Sequence, residues 1–339
     1  MSTRTDSGKR CQSRPSAQGV FTICTLCSCL LCFSLKMAAQ AVSSAAGQKV
    51  PEKVIIDTDI GGDIDDAFAV ALALQSPEVS ILGFSTSSGD TTARAKILDE
   101  MLGASDHKNL PVTVGSPTTL PYSLPPIGRQ RRYGEEERFP RPTHPPAVDF
   151  ILDQIRRFPG QITLVTIGPL TNVGALIEKD PRTFHRLQRV VMMGGAIGAI
   201  DMGGGGTTNQ PPPEYNILCD IPAAQKLFQS GVPIYVMPLD STVQLKLDEV
   251  KRDAIFSKGT PLTDSLAVLY HMWEGPTPVL FDAMAIAYVV DSHLCPVEPM
   301  HIVVDNAGVT RSETGEPNAQ VCLHSDPETF FRFYMAHFH

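Results

Sequence analysis

An open, mostly parallel α/β sheet with helices on both faces is the fold class this chain predicts. Three observations carry the prediction. Short apolar runs alternate with helix-period segments from Val54 onward. Several of those runs are continuously apolar, as expected of strands covered on both faces. The chain has 339 residues, 42% of them hydrophobic, which suffices for the large core such a sheet needs.

Taken in order, Val54-Ile55-Ile56-Asp57 is a strand that ends in polar residues. A helix over 65–75 follows, with Ala67, Val70, Ala71 and Leu74 on one face. Segments 79–86 and 112–115 read as strands around a helix at 93–102. The stretch 116–146 holds eight prolines and a charged run, and reads as a long loop, either a lid or a solvated insertion. Alternation resumes with a helix at 147–158, a strand at 162–168 and a helix at 171–179. Strands at 189–193 and 233–239 flank a helix at 222–229. A helix at 282–290, strands at 301–304 and 319–323, and a closing helix at 326–338 complete one domain.

The N-terminus reads as a targeting segment. Lys9, Arg10 and Arg14 precede an apolar run at 19–35, and Ala39-Gln40-Ala41 fits a small-x-small cleavage site. The expected organisation is a signal peptide or leader at 1–41, a linker at 42–53 and one domain at 54–339. That implies the secretory pathway. An uncleaved anchor would put the chain at a membrane, and an extension ahead of Met37 would leave it cytoplasmic. Five of eight cysteines lie in the leader; Cys219, Cys295 and Cys322, widely spaced, suggest neither a disulfide framework nor a zinc site. No Asn-x-Ser/Thr sequon is present.

The formal charge is −8 although the leader is net basic, so the body is strongly acidic. Such a surface is unsuited to a nucleic-acid backbone. It suits a cation pocket, and one segment concentrates the carboxylates. In Asp57-Thr58-Asp59-Ile60-Gly61-Gly62-Asp63-Ile64-Asp65-Asp66, five carboxylates follow within ten residues of a strand end, just where a helix begins. Sites in parallel sheets lie outside the carboxyl ends of strands. Helix capping accounts for one or two of these groups; the rest need a counter-charge. A hard divalent cation, Ca2+ or Mg2+, supplies it.

This segment resembles the signature of the inosine/uridine-preferring nucleoside hydrolase family. The likeness continues in Ile167-Gly168-Pro169-Leu170-Thr171-Asn172, Met193-Gly194-Gly195-Ala196, Pro213-Glu214-Tyr215-Asn216-Ile217, Pro238-Leu239-Asp240 and Phe281-Asp282-Ala283. The resemblance implies a nucleoside hydrolase-like fold with a Rossmann-like core, a ribonucleoside substrate, bound Ca2+, and a homodimer or homotetramer. It implies that Asp59 binds calcium and acts as base toward the attacking water, with Asp66, Asp282 and the Ile167 carbonyl as further calcium ligands. Asp65, Glu214 and Asn216 match groups that hold the ribose, with Asp57 beside them. Asp90 stands where many members carry Asn and is expected among the substrate-binding residues. Asn209, in the glycine-rich stretch that starts at Gly203, is also expected at the ribose.

The chemistry is coherent on its own terms. Cleaving an N-glycosidic bond passes through a cationic ribosyl transition state, which nearby carboxylates stabilise. A cation that grips the vicinal diol predicts preference for ribosides over deoxyribosides.

Two departures bear on function. The 60–64 loop is about two residues longer than the family's shortest form. Phe281 occupies the place where some members carry a His that protonates a purine leaving group; His271 and Tyr270 lie upstream as substitutes or as plain packing residues. Two rival readings follow: a riboside- and calcium-binding protein without turnover, and a phosphatase resembling the haloacid dehalogenase family, in which Asp57 would be the nucleophile.

Overall fold

Val54, Ile55 and Ile56 are almost wholly buried, and the reason is their central place in a sheet. The computed structural model describes residues 50–117, 127–198, 200 and 211–339. The leader, most of the linker and Asn209 with its glycine run lie outside the described residues. Within Pro51–His339, one compact unit, the strands are β1 (Glu52–Thr58), β2 (Val79–Thr86), β3 (Val112–Val114), β4 (Ile162–Thr166), β5 (Arg189–Met193), β6 (Ile234–Met237), β7 (Glu298–Val304), β8 (Thr310–Glu313) and β9 (Ala319–Val321). They form one sheet in the order β3-β2-β1-β4-β5-β6-β9-β7-β8. From β3 to β9 the pairing is parallel; β7 runs antiparallel to both β9 and β8.

Nine longer helices cover the sheet among the described residues: α1 (Asp65–Leu74), α2 (Thr91–Ala104), α3 (Ala147–Arg157), α4 (Thr171–Lys179), α5 (Ile221–Phe228), α6 (Glu249–Phe256), α7 (Pro261–Trp273), α8 (Ala283–Val290) and α9 (Pro327–Ala336). Successive residues of β1 feed opposite faces, as the period of two requires. Val54 and Ile56 join a core with α1, α2, α7, α8 and α9, whereas Ile55 joins a second core with α3, α4 and α5. The expected fold class is therefore the observed one.

The chain proceeds from β1 outward to β2 and β3, then returns to β4 on the other side of β1. That reversal makes the carboxyl ends of β1 and β4 the topological switch point, the usual place for a ligand in an open sheet.

Three features differ from the sequence reading. The 240–281 stretch, to which periodicity assigned no element, contains α6 and α7. The α7 helix is fixed locally by a Thr260–Thr263 capping box with Pro261 in its first turn. The part of the 116–146 stretch that is described, 127–146, is largely exposed but is anchored to α2. Buried Asp99 receives His144 Nε2 at 2.7 Å and pairs with Arg141, while buried Glu100 accepts from Arg138 Nε and Phe139 N, both at 2.9 Å. Thirdly, Cys295 and Cys322 form a disulfide, and Cys219 is the free cysteine among the described residues, buried. Spacing along the chain concealed it, because β9 inserts beside β6 and carries Cys322 back to the turn that follows α8.

Candidate active site

The site starts from the end of β1. Asp57, still inside the strand, is fully buried, and its Oδ1 accepts from Ser85 Oγ at 2.6 Å and Asn172 Nδ2 at 2.8 Å. Its Oδ2 has no hydrogen-bond partner among the described residues. Burial raises the Asp57 pKa to about 7, against the lowering pull of those two hydrogen bonds. Asn172, in the turn after β4, therefore fixes a carboxylate; no role for it followed from sequence.

Beyond the strand the chain turns sharply. Gly61 sits at φ +101°, a left-handed conformation that glycine adopts without strain. Asp59 is 7% exposed, with Arg94 Nη2 3.8 Å from its Oδ2. Burial holds its pKa up and the Arg94 charge opposes this. Asp63 faces outward, its Oδ1 accepting from Ile64 N at 2.7 Å.

At the start of α1, Ile64 occupies the N-cap and makes no side-chain bond, so Asp65 and Asp66 enter the first turn as buried side chains rather than caps. Thr58 Oγ1 donates to Asp66 Oδ1. Across the site, Asp282 precedes α8 and donates its backbone N–H to Asp65 Oδ2 at 3.3 Å. Oxygens of Asp65, Asp66 and Asp282 lie within 4.8 Å of one another. All three pKa values are pushed well above the ordinary carboxylate range, first by burial and then mainly by neighbouring negative charges. Three buried carboxylates this close require a positive partner. Their all-oxygen donor set fits a hard divalent cation, so the residues present suit the expected metal. The trio contains Asp65, which the sequence reading gave to the sugar, while Asp59 stands next to it.

The other expected residues take these places. Ile167 follows β4 directly and donates its N–H to Asp57 O at 2.8 Å, which ties the turn after β4 to the end of β1. Glu214 is buried at the head of the short turn Tyr215–Leu218, and its carboxylate accepts from Gly195 N and Asn216 N at 2.9 Å and Ile217 N at 3.2 Å. Burial raises its pKa despite those three bonds. Asn216 donates Nδ2 to Met193 O at 3.2 Å. Asp90 caps α2, accepting from Ala93 N at 3.0 Å, and its half-exposed carboxylate faces Arg131 at 3.7 Å. Phe281 packs against the core and has no titratable group. Tyr270 lies in an aromatic group with Phe256 and Trp273 under the Arg252 guanidinium, and His271 is exposed, so both are placed as packing and surface residues.

The architecture is that of the nucleoside hydrolases. A solved plant nucleoside hydrolase superposes with a TM-score of 0.71 at 24% identity, covering 85% of this chain and 99% of that one. The family model for inosine-uridine preferring nucleoside hydrolase matches residues 54–332. The chain is 31% identical over 280 residues to uridine nucleosidase 1 of Arabidopsis thaliana, covering 78% of this chain and 79% of that protein. It is 39% identical over 206 residues to an uncharacterized Schizosaccharomyces pombe protein, a match spanning 57% of this chain and 63% of the relative. This chain belongs to the inosine-uridine preferring nucleoside hydrolase family. It is a ribonucleoside N-glycosyl hydrolase, which retires the phosphatase reading of Asp57-Thr58-Asp59.

Proposed function

We propose that the protein hydrolyses ribonucleosides, uridine foremost, in a calcium-dependent reaction centred on Asp59, Asp65, Asp66 and Asp282. The observation that carries this is the convergence of Asp65, Asp66 and Asp282, 217 residues apart in sequence, into one buried trio beside the β1–β4 switch point. Uridine is the choice because the Arabidopsis relative is named a uridine nucleosidase, and because Phe281 lacks the proton that a purine leaving group draws from histidine in some members.

When bound at this trio and the Ile167 carbonyl, calcium lends the carboxylates their counter-charge and acidifies nearby water. Asp59, outside the trio, takes the proton from the attacking water on its carboxylate. Glu214 is held rigid by three backbone donors, and together with Asn216 and Asp65 it orients the ribose hydroxyls. Asp57 Oδ2, unpartnered among the described residues, offers a further acceptor from the strand floor. The buried negative field stabilises the ribosyl cation.

The Cys295–Cys322 disulfide supports maturation in an oxidising compartment, in keeping with a cleaved leader. The deciding experiment measures free ribose from uridine, cytidine, inosine and adenosine, with and without EGTA. Release from uridine that stops in EGTA and returns with calcium is expected. Absence of ribose from every nucleoside would overturn the reading.

A further inference from the structure

Six consecutive carbonyls run through the signature loop, and each meets a donor. Arg94 Nη1 donates to Asp59 O and, at 3.0 Å, to Ile60 O. Gly128 N donates to Gly61 O at 3.0 Å. Gln130 Nε2 donates to Gly62 O at 3.0 Å and Asp63 O at 3.2 Å. Ile64 O then accepts from Ala67 N and Phe68 N, which begins α1. The loop carrying Asp59 at one end and Asp65 and Asp66 at the other is thus gripped along its length from two sides.

The two gripping side chains are built in. Arg94 is 4% exposed and Gln130 1%. Arg94 also donates Nε to Ser88 O at 2.8 Å, where Ser88 is held at φ +70°, so one guanidinium ties the exits of β1 and β2 together. Its planar fork of donors suits that task in a way a lysine ammonium does not. Gln130 comes from the docked 127–146 stretch, whose anchors on Asp99 and Glu100 lie elsewhere. A two-glycine loop has little stiffness of its own, and the longer 60–64 form needs more external support than a shorter turn would.

We propose that Arg94 and Gln130 are positioning residues that hold Asp59 in register with Asp65 and Asp66, and that the 127–146 stretch serves as the buttress that delivers Gln130. This rests on reading the carboxylates as a cation and ribose site. Removing partners that orient ligand groups typically costs about 10- to 100-fold in metal affinity or activity.

The test uses the full chain with Arg94→Lys, which keeps the charge and loses the fork, and Gln130→Met, which keeps the length and loses the donors. Exposed Arg132→Ala is the control from the same stretch. Calcium affinity is measured by calorimetric titration, kcat and KM for uridine separately, and the melting temperature in EGTA. Both variants are expected to bind calcium about 10- to 100-fold more weakly and to lose kcat on the same scale, with Arg132→Ala unchanged. Should Arg94→Lys fail to fold, Gln130→Met and Gln130→Glu carry the test. A lowered melting temperature with wild-type calcium affinity and kcat means mere structural support and overturns the proposal. A wild-type protein that neither binds calcium nor releases ribose overturns the underlying reading instead; an active wild type matched by its variants sinks only the harness.

Discussion

Gly168 approaches Asp59 so closely that a Cβ on it would lie 2.9 Å from Asp59 Oδ1 and 2.9 Å from Asp59 N. The turn after β4 therefore forms one wall of the Asp59 site, and only a hydrogen fits between them. Real Cβ atoms do not come this near to backbone. Gly168→Ala should displace Asp59 and lower kcat/KM for uridine by about 100-fold, the scale of an ångström-level misplacement. The far-ultraviolet circular dichroism should stay unchanged. Full activity in that variant would show that the Asp59 carboxylate has no fixed station.

Asp282 supplies a second test, through stability. With calcium chelated, Asp282→Asn removes one charge from a repelling buried trio, so its melting temperature should exceed that of chelated wild type. With calcium present the order should reverse. A cation at 100 times its dissociation constant adds about 2.7 kcal/mol to the wild type, and the variant forfeits most of it. Thermal melts in EGTA and in calcium decide this; identical responses would remove Asp282 from the cation site.

Sugar selectivity follows from the same groups. Asp65, Glu214 and Asn216 are buried polar side chains. A substrate lacking one hydroxyl leaves an acceptor unpaired, at about 1–3 kcal/mol. 2′-Deoxyuridine should therefore react about 10- to 100-fold more slowly than uridine in kcat/KM, and equal rates would contradict a diol-reading site.

The Cys295–Cys322 disulfide closes 27 residues of chain. By loop-closure entropy its removal in Cys295→Ser/Cys322→Ser should cost about 3–4 kcal/mol, read from urea midpoints. Burial pushes the remaining Cys219 thiol up to about 12, so it should resist alkylation at pH 8 until the protein unfolds. Rapid labelling of Cys219, Cys295 and Cys322 in the native protein, located by peptide mapping, would refute both statements.

Acid stability has a defined sign. Asp180 caps the short helix Pro181–Phe184, and its bonds to Thr183 and Arg156 lower its pKa to about 2. A carboxylate depressed in the folded state stabilises it above the unfolded value of 3.8, and that contribution disappears as pH falls through the folded value. Asp180→Asn should therefore flatten the fall in melting temperature between about pH 4 and 2; an unchanged slope would contradict the assignment.

The layers of the fold, and the acidic character of its candidate site, were readable from the chain alone. Continuous apolar runs separated by helix-period segments specify a covered parallel sheet, and Asp57 to Asp66 announce a crowded carboxylate turn, because both signals are local in the chain. Glu214 and Asn216 were legible through motif order, again a local property. Tertiary structure alone decided what meets what. It paired Asp282 with Asp65 and Asp66, aimed Asn172 at Asp57, turned Asp90 toward a helix end, and joined Cys295 to Cys322. A lone Gln130 in a proline-rich stretch and a lone Arg94 on a helix carry no periodic or spacing signal, yet they secure the loop on which the site is built. The physical reason is that composition and period record how each segment buries its own surface, whereas contacts across strand crossovers depend on where the sheet brings distant segments to rest.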